Sequence, residues 1–224
     1  QGAVKKYPQL ASRSVVLPNR VDSEKIIAMS KEPLPVSLPE DGLPLLVTVA
    51  NVREEKNHLR QVAAMQRLFS EGLRFRWVNL GSLANAPLVE KLRLAVRDAG
   101  LEDYFTLTGP LDNPYGVMRR ADAVCVLSDH ESWSMVITEA KALGVPVIAT
   151  RTSGALEQIE DGKNGVLCGF SDEEIAESLR AFLTGGAAET MRRDAKRPAA
   201  ETSRGTLEAL LENDTKKALY VFDD

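Results

Sequence analysis

The 224-residue chain is poor in the residue types that mark several protein classes. Aromatic residues make up 5% of it, and it holds two histidines and two cysteines, which are too few for a disulfide framework or a cysteine-rich metal site. Its net charge of −4 gives no support to a nucleic-acid partner. No apolar run approaches the length of a membrane span. The remaining composition is that of an ordinary globular protein with one sizeable core.

Apolar strands alternate with helical patterns along most of the chain. Strands are predicted at 45–50, 75–80, 104–109, 123–128, 146–150 and 165–168, and helices at 57–70, 87–99, 114–120, 135–143 and 155–160. This alternation predicts an α/β fold, a doubly wound parallel sheet of about six strands with helices on both faces. A polar, proline-rich stretch at 23–44 predicts a surface connection. Ligands of such sheets bind beyond the carboxyl ends of the strands.

The most informative stretch is Glu131-Ser-Trp-Ser-Met-Val-Ile-Thr-Glu139, which links a strand to the helix at 135–143. The free amides and the positive dipole end of that helix favour an anion. Glu131 in the loop and Glu139 in the second helical turn could accept hydrogen bonds from hydroxyl groups beside the anion, which suits a nucleotide sugar. Trp133 either anchors the loop or walls a sugar pocket. His130 either lines the site or is a solvated loop histidine.

Polar or small residues also follow three other strands. Arg53 and Lys56, after the first strand, could neutralise a pyrophosphate, or could form a solvated basic turn. Gly109 and Leu111, after the third, could let a base approach, although a plain turn is favoured there. Glu157 follows the fifth strand, in a small-residue loop that opens a helix. It could present a further carboxylate to a ligand, and an ordinary connection between strand and helix is equally supported. No Asp-x-Asp pair follows a strand, so we expect no metal held by the protein.

The order and spacing of these motifs resemble the C-terminal domain of the retaining family 4 glycosyltransferases, which have the glycosyltransferase B fold of two Rossmann-like halves. The motifs are Glu131-x7-Glu139, Ala140-x-Ala142-Leu143-Gly144, Pro146-Val147-Ile148-Ala149-Thr150, Asn113-Pro-Tyr115, Ala121-Asp122, Ser153-Gly154 with Glu157, and Asp161-Gly-x-Asn-Gly165. The resemblance implies an interdomain crossing segment and linker at 1–44, a Rossmann-like nucleotide-sugar-binding domain at 45–213 and a tail at 214–224. The chain does not begin with Met, and we expect it to be a fragment whose N-terminal acceptor domain lies outside it.

The resemblance also implies a role for each motif residue. Glu131 would face the transferred sugar and is the expected catalytic residue, whereas Glu139 would bind the ribose hydroxyls and Lys56 the diphosphate. Leu111 and Asn113 would border the base. The other expected donor contacts are Ser134 and the amides of Met135, Val136 and Ile137.

The chain departs from the family pattern in two places. Ala50-Asn51 stands where the family usually has Gly-Arg. We hypothesise that Arg53 supplies the missing cation, because the alternative is a diphosphate clamp weakened by Asn51. Ser132-Trp133-Ser134 stands where Gly-Phe-Pro is more common, which keeps the small–aromatic–small pattern.

The implied reaction is transfer of a glycosyl unit from a UDP- or GDP-linked sugar to an acceptor hydroxyl, with retention and without a required metal or other cofactor. The Asn113-Pro-Tyr115 motif and the Glu157-Gln158 pair are similar to those of members that build capsular, lipopolysaccharide or other surface glycans. The resemblance thus implies an acceptor glycan, lipid-linked or free, and a cytoplasmic enzyme, peripheral to the inner face of the membrane if the acceptor is lipid-linked. The fragment alone is expected to bind a nucleotide sugar weakly and to turn over nothing.

Three alternatives to this function remain. A nucleotide-sugar epimerase and a phosphorylase share the two-domain architecture, but the Glu131-x7-Glu139 pattern disfavours both. A non-catalytic nucleotide-sugar-binding or scaffold subunit is kept open by Asn51.

Overall fold

The computed structural model describes residues 21–186, 188 and 190–192. Predictions for 1–20 and for the tail at 214–224 lie outside the described residues. The strands are β1 (Leu45–Val49), β2 (Arg76–Leu80), β3 (Phe105–Gly109), β4 (Ala123–Val126), β5 (Val147–Thr150) and β6 (Gly165–Cys168). The helices are α1 (Ser23–Met29), α2 (His58–Ser70), α3 (Ala86–Asp98), α4 (Tyr115–Arg120), α5 (Met135–Ala142), α6 (Ser153–Gln158) and α7 (Asp172–Thr184), with a 3-10 turn at Glu54–Lys56.

The described strands form one six-stranded sheet in the order β3-β2-β1-β4-β5-β6, and every neighbouring pair is parallel. The predicted doubly wound parallel sheet is therefore confirmed. The strand order reverses between β1 and β4, and in sheets of this class that reversal opens a crevice at the carboxyl ends of the two strands. β4 ends two residues earlier than predicted, because the Leu127 and Ser128 carbonyls accept hydrogen bonds from the side chains of Asn57 and Thr150.

Helices cover both faces of the sheet. The core on one face gathers apolar side chains of α2, α3 and α7 around Phe75 and Trp77 of the sheet region. The core on the other face is built from α4, α5 and α6 against Val47, Val124 and Val147. The helices form where apolar residues recur every three or four positions and a cap is available. Ser171, for example, starts α7 with a capping box.

Helix α1 and the segment after it pack against the domain, where the sequence predicts a surface connection. The α1 helix begins after Asp22, whose carboxylate accepts a hydrogen bond from the Lys25 amide, and it contacts α4 and α5. Ile26 of α1 is buried, and Leu34, Val36 and Leu38 of the following segment are partly buried against the second core. Most residues of 23–44 are exposed, as the prediction of a surface connection requires. Helix α1 itself was not predicted, because polar and proline residues interrupt the apolar periodicity. The predicted domain boundaries remain predictions.

Within the described residues, none of the helices combines the length and the apolar character needed to cross a membrane.

Candidate donor-binding site

A cavity of about 260 Å3 opens at the carboxyl ends of β1 and β4, where the strand order reverses. It is bounded by the end of β1, the 3-10 turn, the loop after β4 and the first turn of α5. Its lining residues are Thr48, Val49, Ala50, Lys56, Cys125, Val126, Leu127, Ser128, Glu131, Trp133, Ser134, Met135 and Val136. Five of the predicted site residues share this cavity, namely Lys56, Glu131, Ser134, Met135 and Val136. They meet there because the loops that carry them follow adjacent strands.

A charged pair crosses the cavity. The Lys56 ammonium lies 2.6 Å from Oε1 of Glu131, and the Ser128 hydroxyl donates to the same oxygen at 2.8 Å. The side chains are 27% and 14% exposed respectively, so the pair is partly withdrawn from water and its attraction is less screened than that of a surface pair. The cation predicted to bind the diphosphate is thus held by the carboxylate predicted to face the sugar.

Asn57 fixes the loop that carries Lys56. It adopts a left-handed backbone conformation with φ 56°, which few residues other than glycine tolerate. Its side-chain amide donates to the Leu127 carbonyl at 3.0 Å and to the Asp129 carboxylate at 2.8 Å. The Asp129 amide in turn donates to the Glu55 carbonyl at 2.9 Å. The loops after β1 and β4 are therefore joined directly beside the cavity.

The first turn of α5 presents two free amides to the cavity. Ser134 is the N-cap, and its hydroxyl accepts a hydrogen bond from the Ile137 amide at 3.4 Å. The Ile137 side chain is fully buried. Met135 and Val136 occupy the first two helical positions, whose amides have no carbonyl four residues earlier within the helix. Two of the three amides predicted to hold a phosphate thus have no hydrogen-bond partner in the described part of the chain, and the third is already used by the cap.

Glu139 lies one turn further along α5, outside the cavity lining. Its Oε1 accepts a hydrogen bond from the Tyr115 hydroxyl at 3.1 Å. Burial raises the pKa of Glu139 above its usual value, and the Tyr115 hydrogen bond partly offsets that shift. Burial, followed by the charge of Glu139, also raises the pKa of Tyr115. The carboxylate predicted to bind ribose is therefore oriented by a neighbouring hydroxyl.

Residues 30–201 match the family described as Glycosyl transferases group 1, a span that covers most of the chain. The chain belongs to this glycosyltransferase family. WcaL of Salmonella typhimurium, whose name assigns it to colanic acid biosynthesis as a glycosyltransferase, is 31% identical over 156 residues, which are 66% of this chain and 37% of WcaL. The matched part spans between 22% and 38% of the length of the curated relatives.

Solved glycosyltransferases share the fold. Anabaena HepE, determined in complex with UDP-glucose, aligns with a TM-score of 0.61 at 21% identity, covering 69% of this chain and 43% of HepE. WaaG, described as a glycosyltransferase involved in lipopolysaccharide biosynthesis, aligns with a TM-score of 0.62 at 19% identity, covering 78% of this chain and 48% of WaaG. At these identities the likeness establishes the glycosyltransferase B fold of the domain.

Arg53 does not reach the cavity of this glycosyltransferase domain. Its side chain is 62% exposed, its guanidinium lies 3.9 Å from Glu55, and it lines a separate cavity of about 60 Å3. Asn51 is exposed, and its side-chain oxygen accepts a hydrogen bond from the Ser82 amide at 2.8 Å. The hypothesis that Arg53 replaces the family cation gains no support from this geometry, because the 3-10 turn directs Lys56 inward and leaves Arg53 outside.

The residues predicted to border the base, Leu111 and Asn113, do not line this cavity. Leu111 packs partly against the second core of the glycosyltransferase domain. The Asn113 side chain donates to the Met29 carbonyl at 2.9 Å and to Glu32 at 2.8 Å, and its oxygen accepts from the Tyr115 amide. Asn113 therefore ties the end of α1 and the segment after it to the start of α4. Its role toward a base remains a prediction.

Three more predicted positions lie away from the cavity. Gly109 is buried with φ 81°, and its carbonyl accepts a hydrogen bond from the Gly81 amide. His130 and Glu157 are exposed, and their predicted roles remain open.

Two polar side chains at the site were missed by reasoning from the sequence. Ser128 bonds Glu131, and Gln158 bonds Ser134 from the neighbouring helix α6. Ser128 could have been found from its position at the end of a strand, whereas a glutamine within a helix gives no local signal. Trp133 both lines the cavity and is mostly buried, and its indole nitrogen has no hydrogen-bond partner within the described residues.

Proposed function

We propose that this chain is the donor-binding domain of a retaining family 4 glycosyltransferase, which transfers a glycosyl unit from a UDP- or GDP-linked sugar to an acceptor hydroxyl. The observation that carries the proposal is the cavity at the strand-order reversal, which places a lysine, a carboxylate and two free helix amides within one space. Amides at a helix N-terminus bind phosphate, and carboxylates accept hydrogen bonds from sugar hydroxyls.

The geometry suggests how the site handles a donor. The distal phosphate would accept hydrogen bonds from the Met135 and Val136 amides, and Lys56 would turn to it from Glu131. The lysine charge would then offset the negative charge that develops on the leaving nucleoside diphosphate. Glu131, released from Lys56, would accept hydrogen bonds from the transferred sugar. Glu139 would bind the ribose hydroxyls, and none of these steps calls for a metal held by this domain.

The biological setting follows from the relatives by analogy. The names of WcaL and WaaG point to colanic acid and lipopolysaccharide, so we propose a role in surface polysaccharide synthesis. An N-terminal domain of the full protein would supply the acceptor site, and the enzyme would act in the cytoplasm, at the inner membrane face if its acceptor is lipid-linked.

Calorimetric titration of the chain with UDP, GDP and their glucose and mannose conjugates tests donor binding. We expect binding of one nucleotide series and at least a tenfold loss of affinity in Lys56→Ala, because the only cation that lines the cavity among the described residues is removed. Lys91→Ala, an exposed lysine of α3, is the matched control and should bind normally. Absence of heat with every ligand would refute the proposal, and a loss in Arg53→Ala equal to that in Lys56→Ala would restore the hypothesis of a second cation.

A non-catalytic nucleotide-sugar-binding subunit is the second candidate. It is favoured because, among the residues that the structure describes, Lys56 is the single cation lining the cavity, and Glu131 already balances its charge. The two candidates differ in turnover. Release of nucleoside diphosphate from a labelled donor by the full-length protein, and its loss in Glu131→Gln, would establish the enzyme.

A further inference from the structure

Gln158, the last residue of α6, is bonded to the residue that caps α5. Its side-chain oxygen accepts a hydrogen bond from the Ser134 amide at 3.0 Å, and its side-chain nitrogen donates to the Ser134 carbonyl at 2.9 Å. The same nitrogen donates to the Thr138 hydroxyl at 2.8 Å. The residue is 5% exposed, so these bonds form away from competing water and would be costly to leave unmade.

Gln158 also holds the far end of α5. Its backbone carbonyl accepts a hydrogen bond from the Lys141 ammonium at 2.7 Å. Lys141 is partly buried, and this burial lowers its pKa. Water therefore cannot fully replace its hydrogen bond to the Gln158 carbonyl. One residue of α6 is thus attached to the first and the last turn of an eight-residue helix.

These bonds use every backbone and side-chain polar group of Ser134. Its amide and carbonyl are paired with Gln158, and its hydroxyl caps the Ile137 amide. Ser134 cannot rotate without breaking buried hydrogen bonds. The directions of the next two amides, those of Met135 and Val136, are set by the peptide planes that follow Ser134. Neither of these amides can bond within the helix.

We infer that Gln158 is the positioning residue for the phosphate-binding turn of α5, an inference that rests on the proposed function. Preorganised donors need no reorientation when the anion binds, and misplacement by about 1 Å is costly. The amide side chain suits this role better than a carboxylate. A glutamate could accept from the Ser134 amide but could not donate to the Ser134 carbonyl, and its charge would repel a bound diphosphate.

The test compares a nucleoside diphosphate with its monophosphate, because only the second phosphate is expected to need the positioned amides. The ligands are UDP with UMP, or GDP with GMP, whichever series the unmodified chain binds. In Gln158→Met, which keeps the side-chain length, we expect diphosphate affinity to fall about tenfold and monophosphate affinity to change less than twofold. Gln61→Met is the matched control, because Gln61 is fully buried and neither side-chain polar atom has a partner within the described residues.

The outcomes separate this inference from the proposed function. Failure of the unmodified chain to bind any diphosphate refutes both. Binding by the unmodified chain, with the same ratio of diphosphate to monophosphate affinity in Gln158→Met, refutes the inference alone. Equal losses for the two ligands would show that Gln158 only supports the fold, which also overturns it. If Gln158→Met does not fold, Gln158→Asn decides by the same ratio, because its side chain is uncharged and one methylene too short to make the same bonds to Ser134 and Thr138.

Discussion

Replacement of Glu131 by glutamine should change the affinities for a nucleoside diphosphate and for its sugar conjugate in different ways. In the structure the Glu131 carboxylate is paired with Lys56 and also bonded to Ser128. A diphosphate must draw Lys56 away from this partner, and it must then lie beside a carboxylate of the same sign. Glu131→Gln keeps the shape of the side chain and removes both obstacles.

The size of the effect follows from the charges. A unit charge on Glu131 and one on a phosphate about 5 Å away repel by roughly 3 kcal/mol at an effective dielectric constant of about 20. Because the two side chains of the pair are 27% and 14% exposed, we reduce this to about 1.5 kcal/mol for solvent screening. UDP or GDP should therefore bind about tenfold more tightly to Glu131→Gln. The sugar conjugate gains the same amount but loses a charge-assisted hydrogen bond of about 1.5–3 kcal/mol to a sugar hydroxyl.

Calorimetry with the diphosphate and with its glucose and mannose conjugates measures this difference. The expected result is tighter binding of the diphosphate and unchanged or weaker binding of the matching conjugate, so that the ratio of the two affinities changes at least tenfold. Glu54→Gln, which removes an exposed carboxylate in the opposite loop, should leave the ratio unchanged. Equal weakening of both ligands in Glu131→Gln would refute the reasoning, because Glu131 would then act only as a support for its loop.

Three further substitutions test the parts that hold the site. Asn57→Gly keeps access to the left-handed conformation and Asn57→Ala does not, so the alanine variant should be about 1 kcal/mol less stable than the glycine variant in urea denaturation. Gly154→Ala would place Cβ 2.8 Å from the Glu131 carbonyl and should weaken conjugate binding several-fold in calorimetry. Gly116→Ala should not, because its one close contact would be with the end of the flexible Leu34 side chain. Burial lowers the pKa of His58 from 6.5 to about 4, so the unfolded chain takes up the proton first as pH falls and the chain should lose about 2 kcal/mol of stability between pH 7 and pH 5. His58→Leu should remove this contribution from the pH dependence of the urea midpoint.

The sheet could be predicted because its strands are buried on both faces. Each such strand is a short apolar run, as in Ala123–Val126. A run of this kind can be recognised in the sequence without knowing which strands pair with it. Helix α1 could not be found in this way. Of its seven residues only Ile26 is buried, and the surfaces of α4 and α5 that it covers lie some 90 residues or more further along the chain.

The site was predictable to the extent that it follows strand order. Lys56 and Glu131 could be brought together because β1 and β4 are adjacent in a doubly wound sheet and each residue follows its strand by a few positions. The direction of a side chain within a loop was not predictable. Arg53 and Lys56 are three residues apart, and only the 3-10 turn between Glu54 and Lys56 determines which of them faces the cavity.

Glu131 forms hydrogen bonds with two other parts of the site, the loop that carries Lys56 and the start of α6. Its side chain binds the Lys56 loop, while its carbonyl accepts hydrogen bonds from the Gly154 amide at 2.7 Å and the Ser153 hydroxyl at 3.1 Å. A shift of the loop after β4 would therefore disturb the lysine and the start of α6, and Gln158 at the other end of α6 would carry the disturbance to the free amides of α5. Residues linked in this way have non-additive effects. Combined substitutions of Asn57, Gly154 and Gln158 should accordingly reduce the affinity for a nucleoside diphosphate by less than the sum of their separate effects. The reason is that any one of them already misplaces the Lys56 ammonium or the α5 amides, which the other two residues also help to position.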